Sequence, residues 1–236
     1  MYRRFKVILT CQLLLVTTVA VQAHDYWFEK SGVDYLLHRG HLYSQHIGEK
    51  EVPFDPQQVK GGFCLRTGEK QPVPAKLSTT YPIRVQGPCL ALVVTIDSGY
   101  WSQTLSGLKH QRKDDLSGVI RSWRALENLK RIEVWDDHLR QALASELELV
   151  FTEDPFKLSP GDKLRLVAML RGEPAQGVSV AYDGDTRGVT GEDGRINLRI
   201  RHPGPQQITA SLTEPLASGK ADSQVHTAIL SFDLGE

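Results

Sequence analysis

Short apolar runs broken by Gly, Pro, Asn and Asp recur along most of the chain, the rhythm of β-strands joined by tight turns. From Val33 the chain reads Val-Asp-Tyr-Leu-Leu-His-Arg-Gly-His-Leu-Tyr-Ser-Gln-His, a loosely alternating run of strand formers. In a regular strand His38 and His46 share one face and His41 points to the other, but Gly40 invites a bulge that resets the count. Pro53 and Pro56 mark a turn, and strands are expected at Val59 to Leu65, Ala75 to Thr79 and Cys89 to Ile96. The texture then changes. Residues 114–143 hold no proline and one glycine, and Ile120, Trp123, Leu126, Leu129 and Ile132 recur every third position, which predicts helix in two pieces. Arg121, Arg124, Lys130 and Arg131 fall off that stripe and read as a solvated face. After Ser145 strand signals return: Leu147 to Thr152, a turn at Ser159-Pro160-Gly161-Asp162, Lys163 to Leu170, and a last strand from Val225 to Leu234. The pattern predicts a mainly β chain, with one sandwich over residues 24–113, a helical insertion over 114–144 and a second sandwich over 145–236.

The first 23 residues do not fit this rhythm. A basic start carrying Arg3, Arg4 and Lys6, an apolar stretch from Val7 to Val21, and the small-residue ending Val21-Gln22-Ala23 predict a secretory signal peptide cleaved after Ala23. The apolar stretch is shorter than the roughly 20 residues of a membrane-spanning helix. Thr10 is too large for the position before a lipidated cysteine, so Cys11 predicts no lipid anchor. The expected location is the periplasm. Export removes three of the 28 cations and leaves all 28 anions, a mildly acidic protein with no electrostatic reason to bind nucleic acid. It also leaves two cysteines, Cys64 and Cys89, and an oxidising compartment predicts a disulfide between them.

Cleavage changes the chemistry of His24. As the N-terminal residue it offers an amine and an imidazole on the same Cα, a chelate for nickel, cobalt, zinc or copper. Four of the eight histidines, His24, His38, His41 and His46, fall in one short stretch, and His226 lies in the last strand. Chain ends of a sandwich can lie close together, so the expected metal site is His24, His41 and His226, with His38 and His46 as weaker candidates. His110, His138 and His202 sit beside charged residues or proline and read as structural. The chain has no G-x-S-x-G elbow, no C-x-x-C, no H-E-x-x-H and no phosphate-binding glycine loop, so hydrolase and nucleotide chemistries lose their usual support. Asp183, Asp185, Glu192 and Asp193 lack the alternating spacing of a calcium loop.

Two resemblances add to this reading. Gly172-Glu173-Pro174-Ala175-Gln176-Gly177-Val178 followed by Thr190-Gly191-Glu192-Asp193-Gly194 is similar to the Ig-like, transthyretin-like modules of secreted bacterial proteins, which serve as scaffolds. The start Ala23-His24-Asp25-x-Trp27-x-Glu29, the pair Gly40-His41, Glu153-Asp154-Pro155 before Pro160-Gly161-Asp162, and the ending Ala228-x-Leu230-Ser231-Phe232 together resemble a domain-of-unknown-function family. Its members are often described as periplasmic components of nickel or cobalt uptake. The resemblance implies a non-enzymatic protein that captures nickel or cobalt and delivers it to membrane transporter components, with His24 and His41 as ligands. Two alternatives are a copper-binding protein or copper mono-oxygenase, by similarity to the N-terminal histidine brace of lytic polysaccharide monooxygenases, and a structural Ig-like surface protein.

Overall fold

The computed structural model describes residues 25–40, 50–69 and 71–235. Its strands are β1 (Asp25–Ser31), β2 (Asp34–Gly40), β3 (Val59–Leu65), β4 (Val73–Pro74), β5 (Ile83–Val85), β6 (Ala91–Thr104), β7 (Gly107–Lys109) and β8 (Val119–Ile132). They are followed by β9 (Glu148–Phe151), β10 (Lys163–Leu170), β11 (Glu173–Pro174), β12 (Ser179–Tyr182), β13 (Asp185–Val189), β14 (Arg195–Arg199), β15 (Pro205–Pro215) and β16 (Ser223–Asp233).

These strands form three layers. The middle layer is a nine-stranded sheet in the order β13-β12-β15-β16-β8-β6-β3-β4, with β7 added alongside β6. A small sheet, β1-β2-β5, covers one face, and a sheet of β9, β10, β11 and β14 covers the other. Each interface has its own core. Tyr26, Phe28, Tyr35 and Leu37 pack with Leu92, Val94, Ile96, Leu129 and Ile229 under the first sheet. Leu149, Phe151, Leu164, Leu166 and Leu198 pack with Ala91, Ile132, Ala228, Leu230 and Phe232 under the other. Alternation therefore decides which core each residue joins: Ile229 faces the β1 layer, while its neighbours Ala228 and Leu230 face the β10 layer.

The expected helical insertion over 114–144 is instead a short 3-10 turn, the 14-residue strand β8 and a second 3-10 turn. The reason lies in the stripe itself. Along a strand, residues three apart alternate sides, so a stripe from Ile120 to Ile132 turns apolar groups to both faces in turn, exposed at Ile120 and buried by Leu129 and Ile132. A central strand sandwiched between two layers needs this, and Leu129 joins one core while Ile132 joins the other. Antiparallel pairing with β6 on one side and parallel pairing with β16 on the other, from Ser223 opposite Trp123 to Ser231 opposite Arg131, overrides the local helical signal.

The β1–β2 hairpin is closed by Gly32 and Val33, with Gly32 at a φ of 64° that favours glycine. Cys64 and Cys89 are joined by a disulfide across 25 residues, tying β3 to the segment that enters β6. A polar seam crosses the second core. Lys130 Nζ donates to Glu148 Oε1 at 2.5 Å, both side chains being almost wholly enclosed, and Glu148 Oε2 accepts the backbone N–H groups of Leu143 and Ala144 at 2.9 Å each.

Candidate functional site

The hairpin's open end is where the sequence places its chemistry. Asp25, the first residue of β1, pairs with Gly40, the last of β2, and the residues bonded to this pair are His24 and His41. His24, His41 and His46 lie outside the described residues. A Cβ at Gly40 would stand 2.0 Å from the Lys50 carbonyl oxygen, so only glycine lets the returning chain cross β2 this closely.

Directly beneath, the middle sheet carries a β-bulge. Between Asp97 and Gly99 the register of β6 against β8 slips by one residue, and the extra residue, Ser98, turns its hydroxyl toward the β1 layer. Ser98 Oγ donates to Glu127 Oε2 at 2.9 Å and, its proton so used, accepts from the Tyr26 hydroxyl at 3.2 Å. The bulge is braced on three sides. His110 Nε2 donates to the Ser98 carbonyl at 2.8 Å while its ring stacks on Trp101 at 4.4 Å; Asp97 accepts from the Gly99 N–H at 3.0 Å and from Arg124 at 2.6 Å.

This chain of hydroxyls ends on a carboxyl in an unusual state. Burial pushes Glu127 up to about 7, with Ser98 and the Arg39 charge opposing. Tyr26 is pushed to about 12, by burial first and by the Glu127 charge second, with the Arg39 guanidinium 5.9 Å from its ring. Near neutral pH, Glu127 can therefore hold or release a proton. In the unfolded chain it ionises near 4.5, so the folded form retains the proton longer and stability falls as pH rises from about 4.5 to 7. Glu127→Gln is expected to stabilise the metal-free protein by about 2 kcal/mol at pH 8, after allowance for screening, and to have no effect at pH 4.5. Urea unfolding in EDTA at the two pH values checks this; an equal effect at both would show that the carboxyl ionises normally.

The other histidines are dispersed. His38 is buried on the outer face of β2, stacked on Trp27 at 5.5 Å, with Nδ1 at 3.1 Å from Glu51 and Nε2 at 3.3 Å from Glu29. His226 shares the face of Ala228 and Leu230, so the middle sheet lies between its ring and the β1 layer. Its Nε2 meets Glu214 at 3.1 Å and Gln224 at 2.9 Å, its buried Nδ1 has no hydrogen-bond partner, and burial holds it below the ordinary imidazole range. The structure thus does not bring His226 to the open end of the hairpin. His138 and His202 pair with Asp136 and Asp183 in turns. Among the described residues no three His, Cys, Asp or Glu side chains are gathered to hold a metal ion.

The sequence reading missed Glu127, Ser98 and the bracing role of His110. The helical reading of residues 114–143 gives Glu127 no role; as strand, a lone carboxylate between Leu126 and Leu129, beside a doubly covered stretch, stands out.

No curated protein and no solved structure matches the chain. Residues 21–214 match the family described as Domain of unknown function (DUF4198), a span that takes in β1 through nearly all of β15 and stops short of His226. The chain belongs to that family.

Proposed function

We propose that the protein captures a divalent transition metal, nickel or cobalt, at the open end of the β1–β2 hairpin, and hands it on to membrane transporter components. Export and cleavage after Ala23 make His24 an amine-imidazole chelate, and His41 supplies a second imidazole. The observation that carries this reading is the pairing of Asp25 with Gly40. Paired strand Cα atoms are about 5 Å apart, so the chain that leaves this pair on either side starts from neighbouring points. From there two imidazoles with metal–nitrogen bonds of about 2 Å can close on one ion. Glu127 lies beneath, one hydroxyl removed from Tyr26, and its charge above pH 7 favours a cation overhead. We read the two packed interfaces as Ig-like sandwiches that share their middle sheet, scaffolds for this end of the molecule.

The test is titration with nickel, cobalt and copper of protein beginning at His24, beside a form with one glycine added ahead of it and a His41→Ala variant. Each change is expected to weaken nickel and cobalt binding at least a hundredfold, on the order of 3 kcal/mol. Binding should also weaken as pH falls through about 6.5, where imidazole protonates. Unchanged affinity in the glycine-extended form would overturn the terminal chelate. Copper binds most nitrogen and oxygen donors more tightly than nickel, so the ratio between forms, not the ranking of metals, decides.

A further inference from the structure

At the other end of β1, roughly 20 Å from Asp25 at strand rise, the structure holds a second cleft. It has a volume of about 790 Å³ and lies between the β1–β2 turn, the residues after β3, the entry to β6 and the exit from β8. Its walls are Val33, Pro88, Leu90 and Val134, and its charged groups are Lys30, Arg66 and Glu133. Glu133 is already engaged, accepting from Lys30 Nζ at 2.7 Å and from Arg131 Nε. Arg66 is not. Its Nε is buried with no hydrogen-bond partner, and no ion pair reaches its guanidinium among the described residues.

A guanidinium stays protonated under all ordinary conditions, and leaving one of its donors shielded from water without an acceptor costs free energy. The cleft's one carboxylate, Glu133, is committed to Lys30 and Arg131, so an acceptor carrying negative charge suits the unpaired Arg66 beside it. The walls narrow its class. Val33 and Val134 are 62% and 54% exposed at the mouth, an apolar rim that a bare inorganic ion would leave in water and a hydrocarbon body would cover. We propose that this cleft binds a small organic carboxylate, its oxygens on Arg66 and its apolar body between Val33 and Val134. The fork of the guanidinium matches a carboxylate, and the site is independent of the metal site proposed at the other end of the hairpin.

Amide NMR of the full mature protein titrated with butanoate, benzoate, benzamide and inorganic phosphate tests this. Butanoate and benzoate are expected to shift the Gly32, Val33, Thr67 and Val134 amides saturably, with benzamide at least tenfold weaker. Arg66→Gln should weaken benzoate binding at least tenfold while amides in β10 and β16 keep their positions. Val134→Glu, which puts a competing carboxylate at the mouth, should do the same without touching Arg66. The proposal is overturned if neither carboxylate gives saturable shifts, if benzamide binds as well as benzoate, if phosphate binds where the carboxylates do not, or if both variants bind benzoate unchanged.

Discussion

Glu148→Gln is expected to lower the unfolding free energy by about 3–5 kcal/mol, the cost of removing one partner from an enclosed ion pair. Lys130 and Glu148 are 2% and 1% exposed, and the carboxylate also caps the N–H groups of Leu143 and Ala144. Glutamine keeps the volume but leaves the ammonium without a counter-charge where water cannot reach it. Replacing both groups with apolar side chains, Lys130→Met with Glu148→Leu, should recover much of the loss, because neither charge then needs solvating. Urea unfolding of the two variants beside the unaltered protein measures the terms, and amide exchange at residues 143 and 144 should quicken in both. A cost under about 1 kcal/mol for Glu148→Gln would mean that water reaches the pair.

Removing the disulfide, by Cys64→Ala with Cys89→Ala, is expected to cost about 3.5 kcal/mol. Cross-linking a loop of this length restricts the unfolded chain, and the 25-residue separation sets the size of that term. Both residues are buried beneath the β1 layer, and Cys89 also lines the Arg66 cleft. Comparison of unfolding with and without reductant, and in the double variant, checks the value. A loss below 1 kcal/mol would show that β3–β6 pairing already restrains the unfolded chain.

How far the chain could be read in advance depended on whether a segment meets one layer or two. Val59–Leu65 and Lys163–Leu170 fold as the strands their composition predicts, because turn residues bound both. Residues 119–132 do not, since toward Leu129 and Ile132 the strand is covered on both faces and its apolar spacing imitates a helix. The same blindness explains the candidate site. That His24 and His41 flank a strand pair follows from a hairpin across Gly32, which the sequence did not make explicit. That His226 faces away depends on which side of a shared sheet a residue takes, which spacing alone does not tell. Glu127 and Ser98 meet Tyr26 through a bulge, a one-residue slip with no composition of its own.

The parallel pairing of β8 with β16 has a mechanical consequence. Nine consecutive residue pairs bind the strand leading out of the N-terminal half to the last strand of the C-terminal half, so the halves are riveted along one sheet rather than strung on a linker. Such a body has no hinge on which to open and shut like a jaw. On the metal-capture reading proposed above, capture and release would fall to the hairpin's free end, where a competing ligand can peel an ion away group by group while the girder behind it stays still.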